Sequence, residues 1–291
     1  MTIYNLGSIN ADHVYDVPHL PGPGETLSAR GLTIGLGGKG TNQSVAAARA
    51  GSSVVHIGAV GTDGEWAKDR IADYGVDVSF VDVIEGPTGH AIINVDQDAE
   101  NAIVLLKGAN HAFALDLVEK ALSNAHEGDS LMLQNETGFQ AEAARIAQAK
   151  GLNIIYSAAP FSVDAIKAVL PFITLLAVNE IEAAQLADAL GVAPENLDIP
   201  EVLITRGKDG ATWRSKTDDT HHCESFSVEA VDTTAAGDTF AGFFAAGREQ
   251  GMTVPSAMAL ASAAAALKVT RAGAADAIPT RAEVEVFLAD V

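Results

Sequence analysis

The chain has 291 residues, 48% of them hydrophobic, enough for one large α/β domain with a sizeable core. A formal net charge of -20 and a pI near 4.6 exclude non-specific nucleic-acid binding and attraction to anionic lipid. The same charge repels free polyphosphate, so a nucleotide ligand would need local N–H donors and a metal ion. The one cysteine, Cys223, excludes an internal disulfide framework and a cysteine-rich metal site. No apolar run has the length of a membrane span and the N-terminus lacks a signal-peptide pattern, so a cytoplasmic location is the expectation.

Residues 2–9 read as a strand. Turn residues (Pro18, Pro21, Gly22, Pro23, Gly24) crowd the segment 12–36 between short extended pieces. A helix pattern starts near Lys39 and stops at Gly51, and Ser53–Val60 follows as a buried strand. Helices are then expected over 64–74, 113–125, 138–150, 162–169 and 180–190. Strands are expected over 130–134, 153–157, 173–178, 201–205, 211–214 and 224–229. The end reads as helical over 237–249, 254–268 and 280–289. Alternating strands and helices predict a mainly parallel sheet covered on both faces. Two ribbons without helices break the rhythm: 12–17 with 26–35, and 89–95 with 101–107, the latter turning at Gln97–Asn101. Together they predict a small sheet over one end of the main one, placed to act as a lid.

Asp232-Thr-Thr-Ala-Ala-Gly-Asp-Thr-Phe240 reads as a turn opening a helix. Ala235, Ala236 and Gly237 are small enough for close ligand approach, and a helix start offers free N–H groups to a phosphate. Asp238 puts a carboxylate where an anion should sit. That is unfavourable in a passive anion site and suits a general base beside a transferring phosphoryl group. Gly35-Leu-Gly-Gly-Lys-Gly40 matches G-x-G-x-x-G, but no acidic residue ends the next strand, so a dinucleotide site is not supported. It is no Walker A loop either, because Gly40 follows Lys39. Lys39 and Asn42 share a face of the first helical turn and suit a polyhydroxylated ligand. Asn10 and Asp12 share a face of an extended segment and can bind neighbouring hydroxyls, or equally stabilise a turn. His221-His222-Cys223 alternates across a strand, which argues against a metal cluster.

Asn10-Ala-Asp12, Gly37–Asn42, Asn179-Glu-Ile-Glu182, Thr205-Arg-Gly207 and Asp232–Asp238 together resemble the PfkB family of sugar and nucleoside kinases, most closely its ribokinase branch, over nearly the whole chain. The resemblance implies a ribokinase-like α/β fold with a small β lid that often pairs two subunits, hence a homodimer. It implies transfer of the γ-phosphoryl group of ATP to the primary hydroxyl of a pentose, most like ribose. Asp238 would be the base, with the N–H groups of Ala235, Ala236 and Gly237 as anion hole. Asn10, Asp12, Gly38, Lys39, Asn42 and Glu136 would hold the sugar. Asn179, Glu182, Thr205 and Gly207 would lie near ATP, with Glu182 acting on Mg2+ through water. Asp232, Thr234, Lys268, Arg271 and Gly273 would surround a monovalent cation, often K+, beside the anion hole.

Three places depart from the family pattern. His90 stands where relatives carry a small apolar residue on the lid, and could alter what packs over the sugar or simply be half exposed. Lys268 stands where relatives carry a small residue, and fits the cation loop if only its carbonyl matters. Residues 191–201 are short, on the nucleotide side. Trp66 and Trp213 are expected to pack rather than stack on a ligand, and Arg206 is either a phosphate ligand or an exposed loop residue. Rival readings are the same chemistry on another sugar or a nucleoside, and a non-catalytic sugar-binding homologue.

Overall fold

A strand covered on both faces must be apolar at nearly every position. Residues 2–6, 53–61 and 130–134 are almost wholly buried and mainly apolar, with Asn5, His56, Ser130 and Gln134 as buried polar exceptions. The computed structural model describes residues 1–98, 100–217 and 219–290; Ala99, in the expected turn Gln97–Asn101, lies outside the described residues. In chain order the elements are β1 (Thr2–Leu6), β2 (Asn10–Asp16), β3 (Gly31–Gly37), α1 (Lys39–Arg49), β4 (Ser53–Gly61), α2 (Glu65–Asp73), β5 (Asp77–Ile84), β6 (Gly89–Val95), β7 (Asn101–Leu106), α3 (Leu115–Ser123) and β8 (Ser130–Gln134). They continue with α4 (Gln140–Ala149), β9 (Asn153–Ser157), α5 (Val163–Val169), β10 (Leu175–Asn179), α6 (Glu180–Leu190), β11 (Glu201–Thr205), β12 (Ala211–Ser215), β13 (Thr220–Cys223), α7 (Ala236–Glu249), α8 (Val254–Val269) and α9 (Arg281–Asp290).

The large sheet runs β13-β12-β11-β10-β9-β8-β1-β4-β5. Its neighbours are parallel except β11–β12 and β12–β13 at one edge. Helices cover both faces, as the alternation predicts. One core gathers side chains of α1, α7 and α8 beneath one face, and the other those of α3, α4 and α5. The α1–α7 crossing is close, because a Cβ on Gly242 would sit 2.5 Å from the Ala46 Cβ. That contact brings the start of α1 against the start of α7.

The small sheet has the order β3-β2-β6-β7, so the two predicted ribbons do join. Two expectations fail. Segment 224–229 has strand-like alternation but no strand; the edge of the large sheet is instead β13, just before it. Alternation supplies a face for burial, not a backbone partner. β5 was missed because, as the other edge strand, it carries Asp77 and Asp82 on exposed positions.

Candidate active site

α7 opens without a side-chain cap, from Ala235 at φ 59°, a left-handed conformation uncommon for a residue with a Cβ. Ala236 N–H donates to Thr233 O at 3.2 Å, so one of the three expected anion-hole donors is already engaged. The N–H groups of Ala235, Gly237 and Asp238 have no partner among the described residues. A helix start left in this state holds donors and a partial positive charge ready for an anion.

Asp238, in the first turn of α7, is 9% exposed. Its Oδ2 accepts from Asn42 Nδ2 and its Oδ1 from Gln43 Nε2, each at 3.0 Å. Asn42 was expected to hold the sugar, not to grip Asp238, and Gln43 was not singled out at all, although it follows Asn42 on the same helix start. A buried chain of amides fixes its orientation. Gln134 Nε2 donates to Gln43 Oε1 (2.7 Å) and to Asn5 Oδ1 (2.9 Å), which turns the Gln43 NH2 toward Asp238. Asn5 in turn donates to Ser44 Oγ, which meets His56 Nδ1 at 2.8 Å. His56 Nε2 lies 3.1 Å from Gly7 O, an acceptor only, so Nε2 carries the proton and Ser44 donates to Nδ1. Burial pushes the His56 pKa down to about 4, so the network ends in a neutral imidazole. Asn42 Oδ1 is buried with no partner among the described residues, an acceptor open to a ligand hydroxyl.

The other half of the site comes from the small sheet and the loop before α1. The Asp12 carboxylate occupies the space where a Cβ on Gly37 would stand. Burial, with Glu136 nearby, raises its pKa to about 6. Gly38 has φ 96° with Ser8 O against its missing side chain, so only glycine makes this turn. Glu136 accepts from Ser8 Oγ and, at 3.1 Å, from the Lys39 N–H at the α1 start. Asn10 Oδ1 accepts from Asn110 Nδ2 at 2.8 Å, and Asn110 also holds the Ile9 backbone. Lone asparagines carry no such signal in sequence. The Lys39 pKa is raised chiefly by Asp238, against burial and helped by Glu136 and Glu182. The charges of these three carboxylates favour its protonated form.

Lys39, Asn179, Glu182, Thr205, Gly237 and Asp238 line one cleft of about 240 Å³. A second, more apolar one of about 320 Å³ shares Thr205, Ala236 and Gly237 and reaches Gly207 and Val228. The two meet at the α7 start. Asn179 and Glu182 form a reciprocal capping box on α6: Asn179 Oδ1 accepts from Glu182 N–H (2.8 Å) and Glu182 Oε2 from Asn179 N–H (2.9 Å). The sequence signal N-x-x-E was there to be read as a cap. Burial raises the Glu182 pKa, against the Asn179 N–H and the charge of Lys39.

A model of the pfkB family carbohydrate kinases matches residues 2–281. The chain belongs to this family. It is 37% identical to the ribokinase of Haemophilus influenzae, covering 99% of this chain and 98% of that one. The ribokinase of Thermotoga maritima superposes with a TM-score of 0.90 at 32% identity, over 99% of each chain. That of Arabidopsis thaliana, solved with ribose and ATP, gives 0.86 at 27%, over 99% of this chain and 98% of that one. As a member of the family the protein is a carbohydrate kinase, a phosphotransferase, and its large sheet with a separate small one is the family's fold.

The family's implied monovalent cation meets an obstacle here. Asp232 Oδ1 accepts from Thr234 N–H and Oδ2 from Gly273 N–H, each at 2.9 Å. Lys268, which would fit that loop if only its carbonyl mattered, points its side chain into it. Its Nζ donates to Asp232 O at 2.9 Å and Arg271 O at 3.5 Å, and lies 3.9 Å from Asp232 Oδ2. These oxygens surround an ammonium, and the residues do not fit a second cation beside it. The Arg271 side chain turns outward to Glu283.

His90 is half-exposed on the small sheet, the plainer of the two readings its position allowed. It pairs with Ala11 in the β2–β6 register, and its ring meets that of His13 at 5.9 Å. Alternation puts both on the face opposite Asn10 and Asp12, away from the residues expected to hold a sugar. Trp213 is buried and donates to Glu201, but Trp66 is 36% exposed on α2 and does not pack in the core. Arg206 is half-buried, on Thr212 and near Glu195 rather than in either cleft.

Proposed function

We propose that the protein is an ATP-dependent ribokinase, transferring the γ-phosphoryl group to the primary hydroxyl of D-ribose to give ribose 5-phosphate. The observation that carries this reading is Asp238 itself. Two amides grip it at the mouth of an uncapped helix, where two clefts meet. The ribokinase solved with ribose and ATP supports the choice of substrates.

Asn10, Asp12, Lys39, Asn42 and Glu136 would hold the sugar hydroxyls, with Asn42 Oδ1 as a free acceptor. Asp238 would take the proton of the primary hydroxyl as its oxygen bonds to phosphorus and the bond to the leaving ADP oxygen breaks. The free N–H groups at Ala235, Gly237 and Asp238 would receive the charge of the moving phosphoryl group. The more apolar cleft suits the nucleobase, with Thr205 and Gly207 at its phosphate end. Glu182, a half-buried carboxylate lining the first cleft, fits Mg2+ through water, and the chemistry Mg2+ supplies when bound is charge neutralisation on the phosphates.

The chain would act as one domain, the small sheet being its lid. On the outer face of that sheet Leu32, Ile34, Val104 and Leu106 are 44–68% exposed, and alternation sets them beside His13 and His90. Pairing of two lids through this face would give a homodimer. A cytoplasmic location fits an ATP-consuming kinase.

A phosphorylation assay over a panel of pentoses, ketoses and nucleosides tests the substrate. Ribose is expected to give the highest kcat/KM, and a clear preference for a nucleoside would reject it.

A further inference from the structure

Lys268 sits in the last turn of α8 and is 0% exposed. Lysine is almost never fully buried unless paired, and this one ends among oxygens of two segments. Asp232 O belongs to the loop leading into α7, and Arg271 O to the turn leaving α8. The second is at the negative end of a helix, which favours a positive charge. Backbone bonds hold the same two segments together: Val231 and Asp232 N–H both donate to Val269 O. Three residues after Asp232 comes Ala235, in the left-handed turn that exposes the N–H groups of α7.

We propose that the Lys268 ammonium is a tethered substitute for the monovalent cation of this loop, so that the protein orders its anion hole without free K+. The inference rests on the phosphoryl-transfer reading of that loop. A single positive charge on a side chain provides what a bound ion would: attraction for the Asp232 and Arg271 oxygens and a fixed position for the turn between them. Tethering removes the binding equilibrium, so occupancy does not depend on the ion's concentration. Lys268 touches no reacting atom and is a positioning residue.

The test uses the full chain dialysed into choline chloride, with KCl exchanged in at constant ionic strength. Turnover and thermal midpoint are both read. The wild-type protein is expected to show no change in either on adding K+. Lys268→Ala opens the space: kcat should fall on the order of 100-fold in choline and recover at least ~10-fold with K+, with a Tm raised by K+ and not by choline. Lys268→Met keeps the stem, fills the space, and should stay impaired in both salts. Activation of the wild type by K+ over choline would overturn the proposal. So would a Lys268→Ala variant that is fully active in choline, or one that choline rescues as well as K+. If the variants do not fold, the wild-type comparison decides alone. A wild type that phosphorylates nothing on the panel sinks the kinase reading, while the Tm measurements still judge the tethered cation.

Discussion

The starts of α6 and α7 face the same cleft and are built in opposite ways. α6 is closed by its own side chains, with Asn179 and Glu182 satisfying each other's backbone N–H groups. α7 has no side-chain cap and begins from a left-handed alanine. A closed start is stable and has little to offer an anion. An open start leaves donors unmet until a ligand arrives, and stability must come from elsewhere. Here it comes from the close packing of α7 on α1, whose amides also grip Asp238. The contrast sets a helix end that closes on itself against one whose donors are left open, on the reading proposed above, for the phosphoryl group.

Asp238→Asn at the open start should have the largest effect. It keeps the shape and removes the proton acceptor, so kcat should fall by about 10³ while calorimetry still detects sugar binding. Full activity would show that the carboxylate is not the base. Gln43→Leu removes one bond to a charged group, worth about 1.5–3 kcal/mol, and kcat should drop on the order of 10-fold or more. An unchanged kcat would mean that Asn42 alone positions Asp238.

Asp12 lies outside both helix starts and titrates instead. Its folded pKa of about 6 exceeds the ordinary value of 3.8, so its contribution to stability is full below pH 3.8 and lost as pH rises toward 6. The ionised carboxylate then costs of order 3 kcal/mol. Asp12→Asn should raise Tm at pH 7.5 and lose that advantage at acid pH. In the wild type, KM for the sugar should rise as pH falls through about 6, where the acceptor becomes protonated; a flat KM would remove Asp12 from the sugar site.

At the closed start, Asn179→Ala should cost about 1 kcal/mol of stability, seen as a lower denaturation midpoint, with a smaller change in kcat than at Gln43. The smallest effect belongs to Ala235→Gly, which relieves a strain of about 1 kcal/mol and should stabilise slightly. Marked destabilisation would show that the left-handed turn is held by more than its dihedral angle.

The chain alone carries the alternation of strands and helices, the two ribbons without helices, and the glycines and aspartates of both loops. These are local signals, set by periodicity and by backbone geometry that few residues tolerate, as at Gly38. Asp238 was legible because it follows Ala235, Ala236 and Gly237, small residues that open a helix start to an anion, and so puts a carboxylate where that anion would sit. What the tertiary structure decided is which side chains meet across long separations in sequence. Gln43, Gln134 and Asn110 are ordinary amides until packing turns each toward a partner 91 or more positions away. The face of His90 was fixed by strand register, and the lysine at 268 became a cation among carbonyls because α8 ends against the Asp232 loop. Burial and pairing are properties of neighbours in space, and a sequence orders its neighbours only along the chain.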